Sequence, residues 1–233
     1  MDILEDNKNC AYFNACNHIN CDKVCPKKCK TDYYFEKSFI PTNRRKRIDL
    51  KVDKDGSDIE AFKRLSDIEK NIESYINEGN NLYLYSQRVG NGKTSWALRL
   101  GCTYIDKVWY KRDMEPIVLF ISVPKFLLEL KANISNKSLY IEEINEAITS
   151  CDLVIWDDIG SKNGTEFEVS HLLSIIDQRI NDGKSNIYTS NLNDTELHQL
   201  LGDRLYSRVY NYSECINIVG KDKRALSEME KKK

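Results

Sequence analysis

From residue 58 onward, apolar positions along the chain follow two alternating rhythms. Phe62, Leu65, Ile68, Ile72 and Ile76 recur every three or four residues, the stripe of an amphipathic helix, and Gly79-Asn80-Asn81 closes it. Short, nearly continuous apolar runs then appear at 82–86, 117–123, 153–157, 186–190 and 215–219. Helical patterns lie between them at 93–110, 165–180 and 194–210; in the second, Val169, Leu172, Leu173, Ile176 and Ile180 share one face. Strands apolar on both faces and separated by helices predict an α/β fold with a five-stranded parallel sheet covered on both sides. The connection between the second and third strands runs to about thirty residues, an upper-end length for one crossover. It divides into helical patterns at 124–134 and 139–150, with Asn133-Ile-Ser-Asn136 as the bend, and so predicts an inserted helical hairpin.

Composition adds an N-terminal appendage to this picture. The 233 residues suffice for one α/β domain and a small extra unit. No apolar run approaches the ~20 residues of a membrane-spanning helix, and the acidic, Cys-bearing start does not read as a signal peptide. A net charge of −1 excludes a broadly polycationic nucleic-acid binder, so any such contact must come from local patches. Five of the eight cysteines, Cys10, Cys16, Cys21, Cys25 and Cys29, fall within residues 1–35. Clustered Cys without a secretory signal read as metal ligands rather than disulfides. The expected zinc set is Cys10, Cys16, Cys25 and Cys29, with Cys21 and His18 as substitutes. An iron–sulfur cluster and free thiols on a disordered tail stay open as alternatives. Cys102, Cys151 and Cys215 read as small buried hydrophobes. Residues 36–57 are polar, with Pro41, Gly56 and the basic run Arg44-Arg45-Lys46-Arg47, and read as a linker. A solvated run is preferred there over a phosphate contact.

Candidate chemistry starts where the first apolar run breaks into Gly90-Asn91-Gly92-Lys93-Thr94-Ser95 and a helix follows. That is the context of a phosphate-binding loop. Backbone N–H groups face phosphate oxygens, Lys93 reaches the β and γ phosphates of ATP, and Thr94 holds Mg²⁺. One position departs from G-x-x-x-x-G-K-[ST]: Gln87 stands where the first Gly is expected. The third run, Leu153-Val-Ile-Trp-Asp157-Asp158, ends in two acids. Asp157 suits Mg²⁺ and Asp158 suits orientation of an attacking water. The commoner residue in the second role is Glu, one methylene longer, so hydrolysis is expected to be slow. Asn191 ends the fourth run, either as a hydrogen-bond donor to the γ-phosphate or as the cap of the next helix. Arg204 and Arg208 stand at i and i+4, a surface pair or an arginine offered to a neighbouring subunit; Arg224 follows the last strand and can serve its own subunit.

These elements, in this order, resemble the AAA+ replicative-helicase loaders of the DnaC/DnaI type, within the DnaC/IstB-like ATPases and closest to short, phage-like members. The resemblance covers about residues 58–225 and rests on Gly90–Thr94, 154–160, Thr189-Ser-Asn191, Gly202–Arg208 and Gly220–Arg224. It implies a P-loop AAA+ domain over 58–225 without a C-terminal α-helical lid, and a charged tail at 226–233. It implies Asn191 as sensor 1, Arg208 as arginine finger and Arg224 as sensor 2. The hairpin would be the clade's contact with single-stranded DNA, with Lys125, Lys131 and Lys137 as its basic residues. The implied function is to bind the replicative DNA helicase and help place it on single-stranded DNA, with ATP as a switch. Self-association, or assembly on the helicase ring, would follow from a finger that works between subunits. The implied setting is the cytoplasm of a bacterial or phage-infected cell. Two other jobs fit the same residues, ATPase helper of a transposase and nucleotide-gated binding module with negligible hydrolysis; Arg208 and Arg224 argue against a third, a small-molecule kinase.

Overall fold

The computed structural model describes residues 25–45, 48–53, 55–111, 115–135, 139–161, 164–220 and 222–223. Its centre is a five-stranded, wholly parallel sheet in the order β2-β3-β4-β1-β5. The strands are β1 (Asn81–Tyr85), β2 (Val118–Ser122), β3 (Leu153–Asp157), β4 (Ser185–Ser190) and β5 (Ser213–Asn217). The five expected runs are therefore the five strands, within two residues at each end. β1 to β4 are buried almost throughout, which is why β1, β2 and β3 read as nearly continuous apolar runs instead of alternating, while β4 buries Ser185, Asn186, Thr189 and Ser190 as well.

Helices cover both faces. On one side lie α1 (Pro26–Lys37), α2 (Ile59–Lys70), α3 (Ile72–Asn77) and α4 (Lys93–Val108), packed over Leu82, Leu84, Val118, Ile155 and Ile187. On the other lie α5 (Val123–Ser135), α6 (Leu139–Ser150), α7 (Glu166–Asn181) and α8 (Asp194–Tyr206), packed over Tyr83, Leu119, Val154, Trp156 and Tyr188. The helical hairpin between the second and third strands is α5 and α6. Helix α7 begins with a reciprocal cap: Thr165 accepts from the Glu168 N–H while Glu168 accepts from the Thr165 N–H.

Three departures from the sequence reading have local causes. The single helix expected at 58–79 is two, because Asn71 leaves helical geometry at φ −107° and ψ 23°. The helix expected at 194–210 kinks at Gly202 (φ 70°, ψ 165°) and winds into a π-turn over Ser207–Asn211. The segment expected as a linker is anchored to the core at several of its described residues. Ser38 and Ile40 are buried, the Ser38 carbonyl accepts from the Phe120 N–H at 2.8 Å, and Ile48 and Leu50 join the core of α2–α4. Ahead of it, α1 sends Tyr34 and Phe35 into the same core, so the tail end of the Cys-rich segment belongs to the domain.

The end of the sheet opposite the strand tips carries a buried polar knot. Arg179 is fully buried and donates to the carbonyls of Ile148, Cys151, Asp152 and Ser185 and to Asn186 Oδ1. Asn186 Oδ1 also accepts from the Trp156 indole at 3.0 Å, and Asn81 accepts from both nitrogens of Asn186. Every member is satisfied by another, which makes burying so many polar groups tolerable. No described helix is long and apolar enough to cross a membrane.

Candidate functional site

The strand order dictates where the site is. β4 lies between β1 and β3. The loop after β1, the acids after β3 and the residue after β4 must therefore meet at the carboxyl end of the sheet, where open parallel sheets bind ligands. A cavity of about 930 Å³ opens there, lined by the glycine-rich loop from Val89 to Ser95 together with Asp157, Asp158 and Asn191. The sequence-predicted corner is thus assembled in one place.

The loop adopts the geometry its glycines permit. Gly90 (φ 75°) and Gly92 (φ 103°) sit in the left-handed region, and Gly92 caps α4, so the N–H groups of the helix start face the cavity's loop. A Cβ on Gly90 would meet Asp222 Oδ1 at 1.9 Å, because the C-terminal segment runs against the loop and the Lys223 N–H donates to the Gly90 carbonyl at 2.9 Å. Gln87, by contrast, is outside the left-handed region: among the described residues only Phe39 and Asp158 are non-glycines with positive φ. Lys93 is buried, its ammonium held by the Arg88 carbonyl at 2.9 Å, Asn91 Oδ1 at 3.2 Å and the Ser86 carbonyl at 3.3 Å. Asn91 donates its amide to the Ile218 carbonyl. Its side chain is spent on the fold, which leaves its backbone to face a phosphate.

Asp157 is the hub of the magnesium corner. Its Oδ1 accepts from Thr94 at 2.8 Å and from Thr189 at 2.7 Å. A strand-tip carboxylate hydrogen-bonded to the loop Thr is the arrangement in which both oxygens can share one hard cation, directly or through water. Burial pushes the Asp157 carboxyl above its ordinary range, against the pull of those two hydrogen bonds; Asp158 adds to the rise and Arg44 opposes it. A divalent cation would relieve that strain, so the site's chemistry favours one. Asp158 stands at φ 58°, with its N–H donating to Thr189 Oγ1 at 3.0 Å.

The alternative role for Asn191 falls away on geometry. The cap of α8 is Asn193, which accepts from the Glu196 N–H at 2.9 Å while Glu196 accepts from the Asn193 N–H. Asn191, two residues earlier, lines the cavity with Asp157 and Asp158.

Other expected residues lie elsewhere. Arg208, on the π-turn, is not among the cavity's lining residues; it pairs with Asp177 of α7 and stacks its guanidinium 5.1 Å from the ring centre of Tyr212. Arg204 is exposed on the kinked end of α8. Lys125 and Lys131 are exposed on α5. Arg224 and Lys137 lie outside the described residues, as do Cys10, Cys16, His18 and Cys21. Cys25 and Cys29 are one turn apart at the start of α1, where the Cys29 N–H donates to the Cys25 carbonyl. Among the described residues no group of three or more His, Cys, Asp or Glu is arranged to hold a metal, so a zinc site is not among them. Burial pushes the Cys151 and Cys215 thiols up to about 11 and Cys102 up to about 12, as inert packing groups.

Two site residues escaped the sequence reading. Thr189 lies in the fourth run and enters the sequence reading only within Thr189-Ser-Asn191; in the structure its hydroxyl donates from β4 across to Asp157. Arg44 reads in sequence as part of a solvated run, yet it lines the cavity and reaches Ser95 Oγ at 3.4 Å.

Comparison with known proteins agrees with this geometry. The family model of the IstB-like ATP binding proteins matches residues 49–228. The replicative helicase loader DnaC of Buchnera aphidicola subsp. Schizaphis graminum is 27% identical over 163 residues, 68% of this chain. The match spans 60% of that relative's length. Among solved structures, the DnaC helicase loader superposes with a TM-score of 0.56 at 21% identity, over 70% of this chain and 90% of that one. DnaI superposes with a TM-score of 0.59 at 20% identity, over 78% of this chain and 95% of that one. The fold is thus the P-loop AAA+ type.

Proposed function

Because the chain belongs to the IstB-like ATP binding protein family, we propose that it binds ATP with Mg²⁺ at the Gly90–Ser95 loop and hydrolyses it slowly. The observation that carries this is the Thr94–Asp157–Thr189 hydrogen-bond chain at the mouth of the cavity. The loop amides and Lys93 would hold the phosphates; Thr94 and Asp157 would hold the cation, which supplies charge neutralisation at the transferring phosphoryl group. Asp158 would orient the attacking water and Asn191 would report on the γ-phosphate. Arg208, off its own cavity, would act on a neighbouring subunit's nucleotide, and Arg224 on its own.

The job served by this switch is loading of a replicative DNA helicase onto single-stranded DNA, in a bacterial or phage-infected cytoplasm. The likeness to the DnaC loader supports it. The exposed Lys125 and Lys131 on the inserted hairpin are the basic residues offered to the DNA backbone. The N-terminal cysteines would form a zinc module, for which elemental analysis should find about one zinc per chain; a metal-free chain removes that part.

Two experiments test the reading. ATP binding, measured calorimetrically, should be lost in Lys93→Ala, and undiminished binding by that variant removes the phosphate-loop assignment. Co-purification with the cognate replicative helicase, with and without ATP, should give an ATP-sensitive complex. Absence of any complex leaves the transposase helper and the plain nucleotide-gated module standing instead.

A further inference from the structure

Arg44 stands before the stretch matched by the family and outside every motif of the loop, yet the fold delivers it to the phosphate end of the cavity. The delivery is built, not incidental. Ile40 is buried at 1% exposure, and the Ser38 carbonyl is tied to the Phe120 N–H at the start of this strap. Pro41 then leads into a 3₁₀ turn, Thr42–Arg44, closed by the Arg44 N–H on the Pro41 carbonyl at 2.7 Å. The next residue, Arg45, turns back and donates its Nε to the Ile40 carbonyl at 2.9 Å, which fixes the far side of the turn. Arg44 alone of the pair lines the cavity.

Its surroundings are those of a phosphate ligand. The guanidinium Nη1 donates to Ser95 Oγ at 3.4 Å, a long bond that uses one of five donors. Ser95 directly follows Thr94, and Arg44 lines the same cavity as Thr94 and Asp157. Among the described residues Arg44 is in no ion pair closer than 4 Å, in contrast to Arg64, Arg99 and Arg208, each of which holds a carboxylate. A half-exposed guanidinium beside a helix N-terminus and a loop lysine adds a third positive element to one corner. A planar fork of N–H donors matches phosphate oxygens better than an ammonium does.

We propose that Arg44 is a nucleotide-phosphate ligand that acts within its own subunit, supplied by the strap ahead of the ATPase domain. The inference rests on the phosphate-loop reading. It adds that the strap is part of the binding site, so whatever holds or releases residues 38–45 sets nucleotide affinity.

The test is calorimetric titration of ATP into the full chain and its Arg44→Ala and Arg44→Lys variants, at low and at moderate salt. Arg44→Ala should weaken binding roughly tenfold or more, the scale of one lost charge-assisted hydrogen bond. It should also flatten the salt dependence, since one fewer positive charge meets the phosphates. Arg44→Lys should recover part of the affinity. The rise in melting temperature on saturation with ATP, taken within each variant, should shrink in the same order, a readout that cancels any change in the unliganded fold. Unchanged affinity and salt dependence in Arg44→Ala overturn the inference while Lys93→Ala still abolishes binding. If the unaltered chain fails to bind ATP, the phosphate-loop reading falls and this inference falls with it.

Discussion

Replacing Thr189 by Val tests the site at the residue that holds its two acids together. The side chain is fully buried, and Val fills nearly the same volume without the hydroxyl. Two bonds go: the donation to Asp157 Oδ1 at 2.7 Å and the acceptance from the Asp158 N–H at 3.0 Å. A buried amide deprived of its acceptor costs about 1–3 kcal/mol, and a hydrogen bond to a carboxylate is of similar size. Asp157 and Asp158 are only partly buried, so water recovers some of this, and a net loss of about 2 kcal/mol is expected. For a chain of this size that lowers the melting temperature by roughly 4–8 °C. Urea unfolding should show a lower midpoint with an unchanged slope.

The same substitution has a signed pH consequence. The folded Asp157 carboxyl already titrates above its ordinary value of 3.8 because of burial. The folded chain therefore holds this proton more tightly than the unfolded chain. Ionisation costs stability from about the ordinary value upward, and the cost is complete once pH passes the folded value. Removing the Thr189 hydroxyl takes away a bond that opposes the shift, so the folded value rises further. Magnesium-dependent ATP binding should then fail at a higher pH on the acid side in Thr189→Val than in the unaltered chain. Thr189→Ser, which keeps the hydroxyl, should keep the acid limb of the unaltered chain and lose only the roughly 1 kcal/mol of the deleted buried methyl. A Thr189→Val variant with unaltered melting and an unmoved acid limb would refute the account of Asp157 as a buried carboxylate held down by Thr189.

Other substitutions probe the remaining parts. Arg179→Ala removes the donor shared by four carbonyls and Asn186 Oδ1 at the far end of the sheet, although Asp152 keeps the Ser185 N–H and Asn186 Oδ1 keeps the Trp156 indole. It should cost about 3 kcal/mol or more in urea unfolding, and a loss well under 1 kcal/mol would show the knot to be dispensable. Arg208→Ala should lower hydrolysis by ~10³-fold or more while ATP binding survives. Mixing it with Asp158→Ala should restore activity between subunits, and failure to complement removes the intersubunit finger. Asp158→Gly should be at least as stable as the unaltered chain and Asp158→Ala less so by about 1 kcal/mol, since only Gly occupies φ 58° without strain. The reverse order in thermal melts would show that the backbone there is unstrained.

The elements legible in the sequence are those whose signal is local. Continuous apolar runs marked the strands because both faces of the sheet are covered, and a Gly-rich break before a helix marked the loop. What escaped depends on contacts distant in sequence. Residues 26–35 read in sequence as the end of a metal module because the cysteines are conspicuous, whereas Tyr34 and Phe35 show their meaning only once they are seen in the core shared with α4. Arg44 looked like one of four basic residues in a polar stretch. Its place is set by the burial of Ile40 and by Ser38 pairing with Phe120, some eighty residues away. Thr189 is one of four polar residues in β4, with Ser185, Asn186 and Ser190, and its partner Asp157 becomes visible only once β4 is known to lie beside β3. The kink at Gly202 was signalled by the glycine itself, but the helical period on either side outweighed it.

The two departures from the usual motif prove to be different in kind once the backbone is known. Gly at the first loop position matters where the chain must take positive φ, and Gln87 is not at such a point, so that substitution carries no conformational cost. Asp158 is at such a point. Short polar side chains tolerate the left-handed region better than longer ones, so an Asp where Glu is commoner suits the turn it occupies. That turn is held from β4 by three bonds: the Asp158 N–H to Thr189 Oγ1, the Ile159 N–H to the Thr189 carbonyl at 2.9 Å, and Ser190 Oγ to the Ile159 carbonyl at 2.7 Å. Strain of this kind persists only where neighbouring bonds over-determine it. β4 therefore fixes Asp157, Asp158 and Asn191 as one rigid unit. It also leads, through the Asn193 cap, directly into α8 and the π-turn that bears Arg208. On the proposed reading, a change at the γ-phosphate sensed by Asn191 would pass along this connection, kinked at Gly202, toward Arg208.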